Sequence, residues 1–400
     1  MFKDVFSLAS SSVLGQVINL CVLLFVARLV SVETYGAYAV CITLVGYMVV
    51  LVSAKYQHVI FSGSLAEARK LTAGNFVFTG GLAVVGFAAT SATKFFFDKL
   101  QTVSFVELLL ISIAGFCSAS NLFYYYLSLR EDRLRVIFRS RLIPPLLGGI
   151  GMVIYASLYG SQTGLLFFYT LTNIFALVIL RRGSEVDWTL EDIWLLLKKY
   201  RKFPMFLLPA GALEVFNSGF LLLASSELFG LEISAAFGLY LRLVASPQGL
   251  VVNSIGDTLR KRIASSSAGD LPRLLIRIGL VLFGVSLAGA LVIFLFSKFG
   301  LGLLLGEKWN YAGKYFVWML PVFVLSFVVP SLSVTLYVFN GQRYDLFIQV
   351  FTAALYSGVY YFFKASLEAF VVAFVASNCL KYVVELVLCF KCIGEVDETT

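Results

Sequence analysis

The stretch LLFVARLVSVETYGAYAV, Leu23 to Val40, joins two long apolar segments through a short polar turn. Arg28 lies near the end of the first segment, and Gly36 lies between two tyrosines at the start of the second. Apolar runs of about 20 residues are long enough to cross the hydrocarbon core of a bilayer as a helix. The stretch therefore predicts two consecutive membrane helices, and the same pattern recurs along the chain.

The composition supports a membrane protein. Of the 400 residues, 60% are hydrophobic and only 14% are charged, whereas about a quarter of a soluble domain is charged. Continuous apolar runs indicate helices, because strands of a membrane barrel alternate in polarity. We predict an all-α polytopic membrane protein with about twelve transmembrane helices, over residues 5–30, 37–56, 73–96, 103–128, 142–160, 163–180, 203–226, 233–254, 275–300, 313–339, 343–363 and 366–390.

Two features exclude common alternatives. The first apolar run is too long for the core of a cleaved signal peptide, so we expect it to remain in the mature protein. The cysteines lie in predicted helices or just after the last one, and Cys389 and Cys392 form a C-x-x-C pair. Because a structural metal site needs about four ligands and His58 is the sole histidine, we expect lipid-facing or packed thiols and no metal site.

The net charge of +8 follows the positive-inside rule and does not indicate nucleic-acid binding. With both termini placed in the cytoplasm, twenty-one lysines and arginines fall in cytoplasmic segments. Six fall on the other side, namely Lys94, Lys99, Lys298, Lys308, Lys314 and Lys364. The asymmetry predicts cytoplasmic N- and C-termini in a multi-pass membrane protein.

A weak internal repeat divides the chain into halves. A shift of 202 residues aligns Tyr35-Gly36-Ala37-Tyr38 with Phe237-Gly238-Leu239-Tyr240, and both motifs open the second helix of a six-helix half. Halves that enter the membrane from the same side are parallel repeats, and carriers of this type hold their site between them. We predict a lobe at 1–180, a cytoplasmic amphipathic linker at 181–202, and a second lobe at 203–400.

The linker contains a short amphipathic helix. Thr189 and Asp192 have the spacing of a capping box, and an apolar face with a basic end follows them. This pattern predicts an interfacial helix on the cytoplasmic surface, with Leu190, Ile193, Trp194 and Leu197 on one face.

The opening stretch resembles the start of the polysaccharide-biosynthesis proteins called Wzx-type flippases, which belong to the multidrug/oligosaccharidyl-lipid/polysaccharide (MOP) superfamily. In that family an "lARll" helix end precedes a "G-x-Y" helix start. Three further stretches are similar in order and position: AAFGLYLRLVASPQGLVVNSIG (235–256), LLLGEKWNYAGKYFVWMLPVF (303–323) and PSLSVTLYVFNGQRYDLFIQ (330–349). The resemblance covers essentially the full chain.

The resemblance implies a two-lobed, MATE-like carrier. It implies transport of undecaprenyl-diphosphate-linked oligosaccharide repeat units, of an O-antigen or similar surface polysaccharide, from the cytoplasmic to the periplasmic leaflet by alternating access. Polymerase and chain-length proteins of the same pathway are the implied protein partners. A basic lumen is also implied.

Charged residues within the predicted helices are the candidate site. Arg242 lies about nine residues, or roughly 14 Å, into helix 8, and Glu214 lies about eleven residues, or roughly 16 Å, into helix 7. A guanidinium suits a diphosphate, so we predict that Arg242 binds substrate. Glu214 is predicted to hold Arg242 in the empty site and to couple transport to an ion; a structural ion pair is the alternative.

Three further basic residues are candidate substrate contacts. Arg28 is about 23 residues from Val5 and lies at the predicted periplasmic edge, and the family resemblance includes it. Lys55 lies at the cytoplasmic end of helix 2, where an interfacial role is an equal alternative. Lys381 precedes Glu385 by four residues, so an internal salt bridge is its alternative.

Two other functions remain open. A MATE-like small-molecule exporter is expected to line its lumen with acids, whereas basic residues are at least as prominent here. A polysaccharide polymerase or ligase is expected to carry a large periplasmic loop. Because no nucleophile–histidine set or nucleotide-binding loop is present, we predict a non-enzyme without a cofactor, coupled to H⁺ or Na⁺.

Overall fold

The computed structural model describes residues 2–96, 103–183, 186–264, 271–338 and 342–397. Within these ranges, the structure describes the backbone but not the side chains of residues 2–12, 93–96, 253, 257–258, 260–264, 337–338, 342–343 and 393–397. The described ranges are helical throughout apart from short turns, and they contain no strand. The predicted all-α class is confirmed.

Nineteen α-helices follow one another in the described ranges. They are α1 Phe2–Leu29, α2 Val32–Ser53, α3 Val59–Ser62, α4 Leu65–Ala73, α5 Asn75–Phe96, α6 Phe105–Arg130, α7 Leu134–Leu158, α8 Gln162–Arg181, α9 Leu190–Lys199, α10 Lys202–Phe229, α11 Leu231–Tyr240, α12 Ser246–Ala264, α13 Leu271–Leu295, α14 Leu301–Leu305, α15 Gly313–Trp318, α16 Leu320–Leu332, α17 Val334–Val338, α18 Gln342–Phe363 and α19 Leu367–Asp397.

Polar residues at the helix starts explain where several helices begin. In the opening stretch, Ser31 caps α2 by accepting a hydrogen bond from the Thr34 backbone N–H at 3.1 Å. The predicted capping box of Thr189 and Asp192 is confirmed, since each side chain accepts from the backbone N–H of the other residue. Such caps satisfy N–H groups that have no partner inside the helix.

The number of apolar helices is close to the predicted twelve. In the described residues, ten helices are long and apolar enough to span a membrane, or eleven if Glu307–Trp318 and Leu320–Leu336 form one span bent by 51°. The bend lies next to Pro321, and a proline removes a backbone hydrogen bond from a helix. The remaining predicted span is the first, in which Val13–Leu29 is a shorter apolar helix.

Several of the basic residues that carry the predicted topology lie outside the part of the chain that the structure describes. Lys99 lies outside the described residues, and so do the side chains of Lys3, Lys94, Arg260, Lys261, Arg262 and Arg343.

The helices form two compact units, Met1–Gly219 and Phe220–Thr400, and the division falls within α10. In the first unit, α7 packs closely against α1 and α8. A Cβ on Gly148 would lie 1.9 Å from Thr172 Oγ1, and one on Gly149 would lie 2.3 Å from Val22 Cγ2. Both glycines therefore permit close helix packing.

The second unit is built mainly on the contacts of α13 with α16 and of α18 with α19. Its core contains the two thiols of the C-x-x-C pair. Cys389 and Cys392 are free and buried beside Leu336 and Ile348. The expectation of packed thiols is confirmed for this pair.

Helix α9 docks on α4 within the first unit. Lys70 Nζ lies 2.9 Å from Asp192 Oδ1, and Lys199 pairs with Glu67. The predicted apolar face is divided: Ile193 is buried, whereas Leu190 and Trp194 are exposed. At helical spacing Leu190, Ile193 and Trp194 lie on one side of α9, so the first unit covers only part of this face, and the interfacial position of the helix stays a prediction.

Candidate functional site

Lys55 lies at a break after helix α2. The helix ends at Ser53, and then Ala54 and Lys55 adopt φ values of 45° and 59° before a 3₁₀ turn at Tyr56–His58. Residues other than glycine rarely adopt this left-handed conformation, and two in succession require support from the surrounding structure. The break turns the lysine side chain away from the path of α2.

The redirected Lys55 side chain meets α10. Lys55 Nζ lies 3.9 Å from Glu214 Oε2. Gly211, one turn earlier in α10, makes room for the lysine, since a Cβ there would lie 2.2 Å from Lys55 Cε. Tyr47 also contacts α10 by donating from its hydroxyl to the Phe216 carbonyl at 3.4 Å.

The environment of Glu214 differs from the predicted one. Its side chain is 67% exposed, and that of Lys55 is 18% exposed. The carboxylate that the sequence places deep along helix 7 is therefore exposed in the structure. Because charged groups in membrane helices face the protein interior or water, an exposed carboxylate midway along a 28-residue helix marks a water-accessible surface of the first unit.

The predicted pairing of Glu214 with Arg242 stays a prediction. Glu214 belongs to the first unit and Arg242 to the second. The ion pair that the structure describes for Glu214 is the one with Lys55. In the sequence, this ion pair is signalled only by a lysine directly after an apolar helix. Nothing in the sequence identifies Glu214 as the partner of Lys55.

A row of cations and aromatic rings extends from Lys55 in the first unit. The His58 ring lies 6.1 Å from that of Tyr126, and Tyr126 lies 5.7 Å from Tyr125. Arg141 donates to the Tyr125 hydroxyl at 2.7 Å and lies 5.0 Å from the centre of its ring. Burial and the nearby Lys55 charge lower the pKa of His58. Lys55, His58, Tyr126, Tyr125 and Arg141 are called the cation–aromatic row below.

Sequence reasoning missed this row. In the sequence, Tyr125 and Tyr126 have the position of membrane-interface aromatics, and Arg141 is one of the twenty-one basic residues of the predicted cytoplasmic segments. The three residues come from α6 and α7, and nothing in their spacing predicts their contact.

Arg242 lies in an irregular turn of the second unit. Between α11 and α12, residues Leu241–Ala245 form a π-helical turn. Such turns are frequent at functional sites, because the extra residue shifts the side chains that follow. Arg242 is half-buried there and has contacts of its own.

Lys381 stacks on an aromatic ring. Its ammonium lies 4.6 Å from the ring centre of Tyr382. Glu385, one turn further along α19, is 7% exposed. Within the described residues, no ion pair within 4.0 Å joins Lys381 to Glu385, so the predicted alternative of an internal salt bridge is not formed. Arg28 is exposed in the last turn of α1, at the predicted end of the first span.

Metal-ligand clusters and the cavity between α5 and α6 are further places where binding groups could lie within the described residues. Among the described residues, no cluster of three or more His, Cys, Asp or Glu side chains could hold a metal ion. A cavity of about 220 Å³ between α5 and α6 is lined by apolar groups such as Val84, Phe87 and Phe116. It contains no charged side chain and is not part of the site.

Solved structures share the fold. The chain is similar to the inward-facing conformation of a multidrug resistance MATE family transporter of the MOP superfamily, with a TM-score of 0.68, 14% identity and 96% of each chain covered. A MOP superfamily transporter from Pyrococcus furiosus has a TM-score of 0.64 and 14% identity, with 99% of this chain and 96% of that chain covered. A MATE transporter of Vibrio cholerae has a TM-score of 0.57 and 12% identity, with 98% of this chain and 96% of that chain covered.

No protein-family model and no curated protein sequence matches the chain. At 12–14% identity, the structural neighbours show the fold alone. The protein is an all-α polytopic membrane protein with the fold of MOP-superfamily transporters.

Proposed function

We propose that the protein is a flippase for undecaprenyl-diphosphate-linked oligosaccharides in the bacterial inner membrane. The cation–aromatic row carries this proposal. Guanidinium and ammonium groups bind diphosphate oxygens, and aromatic rings offer flat apolar surfaces to sugar rings. The lipid tail remains in the bilayer while the charged head group crosses.

The candidate residues have separate proposed roles in substrate binding and ion coupling. Lys55 binds the diphosphate in the first unit, and Arg242 and Lys381 bind it in the second. Arg28 contacts the anion at the predicted periplasmic end. Substrate competes with Glu214 for Lys55, and the released carboxylate binds H⁺ or Na⁺. Ion movement and substrate movement are then linked through one exchange of partners.

Export of small cations is the second candidate, and Glu214 favours it. An exposed carboxylate midway along a membrane helix suits a cationic drug, and neighbours of this fold are named as multidrug resistance transporters. The Pyrococcus furiosus neighbour is described as having a binding pocket of reversed polarity that suggests a different function. Within this fold, the sign of the charges in the site therefore indicates the charge of the substrate. The cations of the cation–aromatic row favour an anionic substrate.

The proposed flippase is a multi-pass carrier of one membrane. The protein acts as a carrier rather than a polymerase or ligase, with both termini in the cytoplasm. It works beside polymerase and chain-length proteins and does not bind nucleic acid.

Reconstitution separates the two candidates. Proteoliposomes containing a fluorescent undecaprenyl-diphosphate oligosaccharide are treated with an impermeant quencher, and a second set is loaded with a cationic dye. We expect protein-dependent movement of the lipid-linked sugar across the bilayer and no dye efflux. Dye efflux without lipid movement would establish the exporter instead.

A further inference from the structure

Two helices, one in each unit, begin with a pair of exposed arginines four residues apart. They are Arg135 and Arg139 in α7, and Arg273 and Arg277 in α13. Like charges at this spacing destabilise a helix. In the described part of the chain, none of the four arginines makes a hydrogen bond or an ion pair. Among the described side chains, neither pair therefore has an acidic partner that compensates its charge.

Each arginine pair continues into an exposed aliphatic stripe on the same face of its helix. In α7, Ile143, Leu147 and Ile150 follow Arg139 at the spacing of successive turns, and all three are exposed. The opposite face of α7 is held against α1 and α8 through Gly148 and Gly149. The basic and aliphatic face of α7 is thus the one turned away from the first unit.

The second unit repeats this arrangement. After Arg277, the exposed residues Val281, Leu291 and Leu295 extend along α13, and its other side packs on α16. The same pattern occurs in unrelated surroundings, so it does not depend on one local packing detail. Both helices are predicted to enter the membrane from the cytoplasmic side, which places both arginine pairs at one leaflet.

The acidic residues near the start of α7 do not neutralise Arg135 and Arg139. Glu131, shortly before α7, lies 2.5 Å from Arg69 Nε and 3.7 Å from an Arg133 nitrogen. Its carboxylate is already shared by two other guanidinium groups. Asp132 is exposed next to it, and one carboxylate cannot balance both Arg135 and Arg139.

We propose that each face binds one anionic phospholipid of the cytoplasmic leaflet. The paired guanidinium groups bind the phosphodiester, and the aliphatic stripe receives the acyl chains. From Arg139 to Ile150 is eleven residues, or roughly 17 Å, which is about half of a 30 Å hydrocarbon core. The face therefore matches the length of one leaflet. The occupant is a lipid of the surrounding bilayer and not the transported lipid-linked sugar, so this inference does not depend on the proposed function.

Lipid counting by native mass spectrometry tests the proposal. The full-length protein in detergent is titrated with phosphatidylglycerol or with phosphatidylcholine. We expect two phosphatidylglycerol molecules to bind in preference to phosphatidylcholine. R135Q/R139Q and R273Q/R277Q should each lose one of them, with binding at the altered face weakened roughly thirtyfold.

Matched variants make the test specific. K314Q/K364Q removes two exposed charges from the predicted periplasmic side and should keep both lipids. R135K/R139K retains the charge without the planar fork and should bind with intermediate strength. If a glutamine variant does not fold, the Arg-to-Lys variants provide the answer: phosphatidylglycerol should raise their melting temperature less than that of the parent.

Three results would overturn the proposal. Unchanged lipid counts in both glutamine variants would remove the arginines from lipid binding. Equal binding of the two phospholipids would exclude recognition of an anionic head group. Displacement of both bound lipids by equimolar undecaprenyl phosphate would make these faces sites for the transported lipid class.

Discussion

The ammonium of Lys55 lies 3.9 Å from the carboxylate of Glu214, and the two side chains differ in exposure, at 18% and 67%. An exposed ion pair contributes only about 0–1 kcal/mol to stability. The strained break that directs Lys55 toward Glu214 is therefore not explained by the stability of this pair. A weak pair that can exchange partners suits a site that must bind and release an anion.

Gly211→Ala tests whether the position of Lys55 matters. The new Cβ would lie 2.2 Å from Lys55 Cε, and the flexible lysine can move without unfolding the helix. We expect transport of lipid-linked sugar to fall to the level of Lys55→Ala while the melting temperature changes little. The control is Gly46→Ala, since a Cβ there meets nothing within 4 Å. Normal transport by Gly211→Ala would show that the contact is dispensable.

Glu214→Gln tests ion coupling. The variant should still bind lipid-linked sugar, but its transport should no longer respond to an imposed pH gradient. Translocation in vesicles with and without the gradient measures this. Glu385→Gln is the comparison, because Glu385 is a buried acid in the other unit. Loss of the gradient response in Glu385→Gln alone would move the coupling site to the second unit.

Arg242→Ala tests the anion contact in the second unit. The variant should accumulate normally in the membrane but restore surface polysaccharide about ten- to a hundredfold less well in a strain lacking its flippase, as expected for a lost charged hydrogen bond. Arg242→Lys should restore it in part, because the charge remains and the fork is lost. Full complementation by the alanine variant would assign Arg242 a structural role.

The ion pair of Glu67 with Lys199 should make stability depend on pH. Hydrogen bonds from Lys199 and from the Ser64 backbone lower the pKa of Glu67 from 4.5 to about 2. A lowered pKa stabilises the folded state above pH 4.5, and this stabilisation is lost as pH falls toward 2. Melting temperatures in detergent should show this component in the parent protein and not in Glu67→Gln.

A set of variants separates charge from capping at Glu67. Glutamine preserves a capping box, so Glu67→Gln should cost at most about 1 kcal/mol, and Glu67→Ala should cost about 1 kcal/mol more. Glu191→Gln, on the exposed side of α9, should leave the pH profile unchanged. Identical stability of Glu67→Gln and Glu67→Ala would mean that the cap contributes nothing.

Thiol labelling tests the predicted topology. In a Cys21→Ser background, which removes an exposed native thiol, Glu191→Cys should react with an impermeant maleimide only after the cells are permeabilised. Lys364→Cys, on the predicted periplasmic side, should react in intact cells. Labelling of the Glu191→Cys variant in intact cells would reverse the orientation.

The sequence by itself determined the helical class, the approximate spans and the caps of the helices. Apolar length and polar caps act within one helix, so they can be read from neighbouring residues. The opening stretch shows this: its arginine, polar turn and Gly-x-Tyr become the end of α1, the Ser31 cap and the start of α2. The helix at Leu190–Lys199 was predicted for the same reason.

Only the tertiary structure decided which charges meet. Equal depth is the basis for the predicted pairing of Glu214 with Arg242, but depth gives only the height of a residue in the membrane, and the contact of Glu214 with Lys55 could not be predicted from it. The direction of Lys55 depends on two left-handed residues after α2 and on space beside Gly211. The contact of Arg141 with Tyr125 likewise depends on the rotation of α6 and α7 about their axes. Such rotations are fixed by packing between distant segments, and the sequence of one helix does not contain them.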